Sequence, residues 1–213
     1  DPISTTFDYE FYSGTNQILQ KTTTLPTVPT AENGPNTTTI QQEQYDLFGN
    51  MTWEQGPRGF IDFFSYDVTT GTVTERIRDV DPATVTLPSG WTRPAGLPAP
   101  LNLVTSYEQD ALGRVIQELG PPHDVDGVTV RTARWTVYHD AAHETMSAQG
   151  TAAIEGPGYA YAVVNPVAIT RRDRNERLVD RIQAVRTAAA GRLCLSNEFP
   201  QGTWVAWSRD VYD

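Results

Sequence analysis

Few residues in this chain combine a reactive side chain with a spacing that chemistry can use. The first candidates are in His139-Asp140-Ala141-Ala142-His143-Glu144, where two imidazoles lie four residues apart. On a helix that spacing puts both rings on one face, as zinc hydrolysis requires. The preceding Trp135-Thr136-Val137-Tyr138 is aromatic and β-branched, so a strand entering a turn is expected there instead. A second candidate, His123-Asp124-Val125-Asp126-Gly127, has the carboxylates and glycine of a calcium-loop fragment. The following Val128-Thr129-Val130 adds few oxygens, and a solvated hairpin loop is the expectation. Among the aromatic residues, Trp91 lies in a Pro/Gly-rich loop and is the candidate for an exposed ring that stacks on a sugar. The other rings are expected to fill a sheet face or pair across strands. Cys194, the single cysteine, stands between Leu193 and Leu195 and reads as a buried apolar residue. No catalytic residue, metal site or cofactor is expected, and the chain reads as a non-enzyme.

The elements that would position these residues are more informative. Tyr45-Asp46-Leu47-Phe48-Gly49-Asn50 and Gln109-Asp110-Ala111-Leu112-Gly113-Arg114 share Asp, two variable residues, Gly and a polar residue. Tyr66-Asp67-Val68-Thr69-Thr70-Gly71 has one more residue in the loop, and looser versions begin at Asp140, Asp173 and Asp210. At the front, Ser13 and Asn16 stand in for Asp and Gly. From Ser13 to Asp210 the landmarks are 33, 21, 43, 30, 33 and 37 residues apart, clustering around one supersecondary unit of roughly 30 to 40 residues with variable connections. Asp at the first turn position accepts a hydrogen bond from the backbone two residues on. Gly three residues later supplies the positive φ of a type I turn with a bulge. Where His143 and Glu176 replace Gly, the turn must differ or be strained. Asp46, Gly49, Asp67, Gly71, Asp110, Gly113, Asp140 and Asp173 are therefore expected to be structural turn residues.

The flanks predict strands over 72–78, 114–119, 128–138 and 204–207, all rich in β-branched or aromatic residues. Gln55-Gly56-Pro57, Leu87-Pro88-Ser89-Gly90 and Gly120-Pro121-Pro122 read as turns. Residues 79–100 read as a loop-like insertion. Residues 180–190 suit either a helix or a strand followed by a turn, and little helix is expected.

Tyr45-Asp46-x-x-Gly49-Asn50 and Tyr107-x-Gln109-Asp110-x-x-Gly113-Arg114-Val115 resemble the YD repeat of Rhs proteins, roughly Tyr-x-Tyr-Asp-x-x-Gly-Arg-Leu. The likeness extends over nearly all of residues 1–213, although Gln109, His139 and Arg172 replace the second Tyr and the later copies lose Gly. The resemblance implies an all-β fold of consecutive antiparallel hairpins in a curved, spiralling sheet. It implies a structural segment of a secreted or cell-surface protein, part of a shell around toxin cargo or of a surface filament. A carbohydrate- or protein-binding adhesin face on the same hairpins is the alternative. The implied partners are neighbouring repeats of the same polypeptide, with enclosed cargo or a surface glycan or protein beside them. No catalytic residue is carried over.

Composition agrees with a folded chain: 38% of residues are hydrophobic and 20% charged. The formal net charge is −10, and Lys21 is the only lysine. Such a chain repels phosphate backbones, which argues against nucleic acid as a partner. No run of apolar residues is long enough to span a membrane as a helix. The opening Asp1-Pro2 and the closing Val211-Tyr212-Asp213 read as a piece of a longer polypeptide.

Overall fold

The structure is a computed structural model that describes residues 4–34, 36–188 and 190–212. The outermost residues Asp1, Pro2 and Asp213 lie outside that set. The protein is all-β, with thirteen strands and only three short 3-10 turns among the described residues, and each observed strand pairing is antiparallel. The chain divides into two compact units, one ending at Val104 and the other starting at Thr105.

The first unit holds β1 (Thr6–Phe11), β2 (Ile18–Leu25), β3 (Thr39–Tyr45), β4 (Met51–Gln55), β5 (Ile61–Tyr66) and β6 (Val73–Arg78). Each of β1 to β5 pairs with the strand that follows it. One register row runs Glu10, Gln20, Gln44, Trp53, Phe63, Ile77. It is polar at the β1 edge and apolar in the middle, so burial grows away from the edge. Trp53 and Phe63 pack with ring centroids 4.7 Å apart. The apolar half of this face is closed by the segment between β6 and Leu103, where no strand forms, in line with the loop read from the sequence.

That loop is tied at its neck. Asp79 (φ 51°) and Asn102 (φ 49°) both adopt the left-handed conformation. The Asn102 N–H donates to the Asp79 carbonyl at 2.9 Å. The Asp79 carboxylate accepts from the Leu101 N–H and from Arg93, both at 3.0 Å. The tied loop carries Val80 and Trp91 into the core, 0% and 5% exposed. The Trp91 indole donates to Gln20 Oε1 at 3.0 Å. Trp91 is thus not the exposed stacking ring the loop composition suggested; burying a large aromatic is what holds the loop to the sheet.

The second unit holds β7 (Leu103–Gln109), which begins at the boundary, and β8 (Val115–Val125), β9 (Val128–His139), β10 (Glu144–Glu155), β11 (Gly158–Arg172), β12 (Leu178–Ala184) and β13 (Trp204–Arg209). Its core row runs Val137, Met146, Ile169, Ile182 across β9 to β12. Trp135 is 2% exposed. Its indole donates to Gln117 Oε1 at 2.9 Å, and its ring meets Tyr161 edge-on at 5.8 Å. The ring lies over Gly150, where an added Cβ would strike both the indole and the Ala162 carbonyl.

Gly120-Pro121-Pro122 is not the turn its composition suggested. β8 continues through it, with a register shift between Leu119 and Pro122 opposite β9. Proline cannot donate to a ladder and is tolerated in sheets at such bulges. Arg131, 7% exposed, satisfies the carbonyls the bulge frees. It donates from Nε to Gly120 (2.6 Å), from Nη2 to Leu119 (2.9 Å) and from Nη1 to the Tyr159 hydroxyl (3.1 Å).

Over residues 180–190 the strand alternative holds: β12 runs to Ala184 and irregular chain follows. There the Arg186 guanidinium gathers the loop by donating to the Gly191, Ala190 and Arg192 carbonyls and to Asn197 Oδ1. Leu193 and Phe199 pack from this loop onto the core. Cys194 is half-buried, with Sγ 3.1 Å from Ser196 Oγ, and is not the enclosed apolar residue expected from its neighbours.

Candidate functional site

The turns that follow the odd-numbered strands contain nearly all the residues singled out by spacing. After β3, Asp46 Oδ1 accepts from the Phe48 and Asn50 N–H groups, both at 2.9 Å, and Oδ2 from the Asn50 side chain at 3.0 Å. The Gly49 N–H returns to the Asp46 carbonyl, and Gly49 has φ +87°. After β7 the geometry is the same. Asp110 accepts from the Leu112 and Arg114 N–H groups and from Arg114 Nε at 2.7 Å, with Gly113 at φ +77°.

After β11, Asp173 accepts from the Asn175 and Arg177 N–H groups and from Arg177 Nε at 2.8 Å. Here Glu176 occupies the glycine position at φ +61°. The turn therefore keeps its shape without glycine, and the strain expected of a side chain there is present. After β5 the longer loop uses Asp67 in a related way, accepting from the Thr69 and Thr70 N–H groups, with Gly71 at φ +68°.

Two turns depart from the expected pattern. After β9, His143 has φ +49° and its N–H returns to the Asp140 carbonyl, so the backbone turn forms. The Asp140 carboxylate does not close it. It takes a bidentate contact from Arg114 of the neighbouring hairpin, at 2.7 and 2.9 Å. After β1, the positive φ falls on Gly14 and not on Asn16, and the Thr15 N–H donates to the Tyr12 carbonyl. Ser13 and Asn16 are thus not the counterparts of Asp46 and Gly49.

Within each unit, neighbouring turns are also fastened to one another. The Tyr12 hydroxyl donates to the Tyr45 carbonyl at 2.7 Å, and the Tyr66 hydroxyl to the Met51 carbonyl at 2.8 Å. In the second unit, the Arg114 guanidinium lies 4.0 Å above the Tyr138 ring while bridging Asp110 and Asp140. His143 Nδ1 lies 3.4 Å from Glu176 Oε1, joining the two side chains that replace glycine in adjacent turns. Arg177 lies 4.6 Å over Tyr212, whose hydroxyl donates to the Leu178 carbonyl. The residue four after Asp46, Asp110 and Asp173 (Asn50, Arg114 and Arg177) thus serves its own turn and, in the second unit, also a neighbouring aromatic ring. In sequence these residues are distinguished only by being polar and by their recurrent four-residue spacing from Asp.

These contacts fix the charge of the turn carboxylates. At Asp46, Asp110 and Asp173, desolvation works against the charged form. It is outweighed by the Asn50 or Arg side chain and by backbone N–H donors, which hold each pKa below its ordinary value. Asp67 is lowered chiefly by the Thr70 backbone N–H, and Asp140 chiefly by Arg114. Carboxylates so supplied with donors are acceptors that hold a bend, not bases poised to take a proton.

The two imidazoles of the zinc-like hexapeptide are on a strand end and in a left-handed turn position, His139 closing β9 and His143 following a 3-10 turn. The helix that the metal motif requires does not form there. In the acidic loop, Asp126 and Gly127, with φ 51° and 80°, make the two-residue turn between β8 and β9, and Asp124 accepts from the Thr129 hydroxyl at 2.7 Å. Among the described residues, no three His, Cys, Asp or Glu side chains converge to hold a metal ion. No described helix is long and apolar enough to cross a membrane.

What the fold and turns define is an all-β protein of antiparallel hairpins clasped along the turns after its odd-numbered strands. Comparison with protein-family models and with curated proteins finds no match to this chain.

Proposed function

We propose that this chain is a non-catalytic structural segment of a YD/Rhs-type hairpin-repeat protein, secreted or displayed at a cell surface. In this reading the hairpins form part of a curved, spiralling wall that encloses cargo or extends as a filament. The observation that supports it is the recurrence of one Asp clasp after β3, β7 and β11, each linked laterally to an adjacent turn. A wall segment needs just such lateral ties, because each hairpin hides its neighbour's edge and contributes through contact with it.

The test is electron microscopy of the intact polypeptide that contains this segment. A hollow or filamentous β-structure is expected, with these hairpins in its wall. Compact domains separated by flexible linkers would overturn the reading.

A further inference from the structure

In the second unit, an arginine fills the space between a turn and its neighbour. Between the turns after β7 and β9, Arg114 donates from Nε to its own Asp110 at 2.7 Å. Its two Nη atoms fork onto Asp140 of the next turn at 2.7 and 2.9 Å, with the guanidinium 4.0 Å over the Tyr138 ring. After β11, Arg177 donates from Nε to its own Asp173 at 2.8 Å and lies 4.6 Å over the Tyr212 ring. A planar guanidinium suits both contacts, the fork on a carboxylate and the face of a ring.

The turns after β3 and β5 present the same acceptors without the cation. Asn50 stands four residues after Asp46, as Arg114 and Arg177 stand after their aspartates. Its Nδ2 takes the place of Nε, reaching Asp46 Oδ2 at 3.0 Å, and the side chain ends there. Tyr66 corresponds to Tyr212, because each hydroxyl donates to the carbonyl five residues after the turn Asp, Met51 or Leu178. Asp67 corresponds to Asp140 as the carboxylate of the next turn. Asp67 Oδ1 closes its own loop, and among the described residues no donor meets Oδ2. No described Lys or Arg forms an ion pair with Asp46 or Asp67. An open cleft of about 610 Å³ remains, lined by Asp46, Asn50, Tyr66 and Asp67. Leu47, Phe48 and Val68 line it too, and are 62%, 78% and 85% exposed.

We propose that this cleft binds an arginine side chain of a partner polypeptide, seated as the chain's own arginines are seated in the other turns. The guanidinium donates to Asp67 Oδ2 and Asn50 Oδ1 and covers the Tyr66 ring. Apolar residues beside the arginine cover Leu47, Phe48 and Val68. A lysine ammonium is a poorer occupant, because a point charge cannot fork and stack at once. The site lies within the first unit and does not rest on the wall reading above.

The test is a titration of the full chain with acetyl-Val-Arg-Val-amide at fixed ionic strength, followed by two-dimensional amide NMR. Saturable shifts are expected at residues 46–50 and 66–71. Citrulline in place of arginine keeps the shape and removes the charge, and is expected to weaken binding about tenfold or more. Asn50→Arg is expected to fill the cleft from within and abolish binding. Asp67→Asn keeps an acceptor for the Thr69 and Thr70 N–H groups and is expected to weaken binding about tenfold; it decides the matter alone if the first variant does not fold. No localised shifts, equal binding of the citrulline or lysine peptide, or undiminished binding by Asp67→Asn would overturn the proposal. So would shifts spread over acidic residues of both units, which would reduce the effect to net charge. Equally tight binding of acetyl-Gly-Arg-Gly-amide would overturn the apolar-flanked polypeptide as occupant.

Discussion

A single backbone position separates the turns that keep their signature from those that lose it. Gly49 and Gly113 enter the left-handed region freely, whereas His143 and Glu176 hold φ values of 49° and 61° with a side chain attached. That conformation costs an L-residue about 1–2 kcal/mol, and the exposed His143–Glu176 contact returns about 0–1 kcal/mol. Glu176→Gly is therefore expected to stabilise the protein by about 0.5 kcal/mol once the greater unfolded-state freedom of glycine is subtracted. Urea denaturation would show it, and a loss of similar size would mean that the pair outweighs the strain. The opposite outcome is expected at Gly150, whose missing Cβ is the space filled by Trp135 and the Ala162 carbonyl. Gly150→Ala should cost about 1–3 kcal/mol or more through overpacking. An unchanged denaturation midpoint would show that the indole can move aside.

At the scale of the elements, the bulge in β8 depends on a strand beside it. Arg131 supplies donors to carbonyls that Pro121 and Pro122 disrupt from regular pairing. Arg131→Met keeps much of the volume but leaves those buried acceptors unbonded, at an expected cost of about 2–4 kcal/mol. Arg131→Lys would recover only part of it, since one ammonium cannot reproduce the fork. Equal stability of all three proteins, measured by chemical denaturation, would contradict this role.

The same bulge shows where sequence reading runs out. The strands over 72–78, 128–138 and 204–207 were legible because β-branched and aromatic residues mark a pleated, half-buried surface. So were the turns at Asp46, Asp67, Asp110 and Asp173, because their bonds are local. Gly120-Pro121-Pro122 has the composition of a turn, and only a distant arginine makes it a strand. The burial of Trp91 is hidden from local reading for the same reason: the ring packs with Trp53, Ile61 and Ile77, and its indole bonds to Gln20, 71 residues away. The lateral ties from Arg114 to Asp140 and from His143 to Glu176 are likewise set by register between hairpins, which no local pattern encodes.

For the whole molecule, two electrostatic effects oppose each other as pH falls. The formal charge of −10 at neutral pH is self-repelling, and mild acid reduces it, which favours the compact state. The clasps respond in the other direction. Asp46, Asp67, Asp110, Asp140 and Asp173, and the Arg209-bound Asp180, all titrate below the ordinary aspartate value of 3.8 when folded. As pH drops past that value the unfolded chain takes up protons that the folded one still refuses. Their stabilisation, fully present above the unfolded pKa, is then lost as pH falls through the folded values. Because these aspartates occur in both units, neither unit should be spared. The melting temperature is expected to be level or slightly raised from pH 7 to about 5, then to fall steeply below about 4. Asp110→Asn combined with Asp173→Asn should lower the melting temperature at neutral pH and flatten the acid limb, because two of the titrating clasps are gone. Thermal melts followed by circular dichroism across this range test both parts. An acid limb equally steep in the double variant would assign acid sensitivity to carboxylates other than those of the turns.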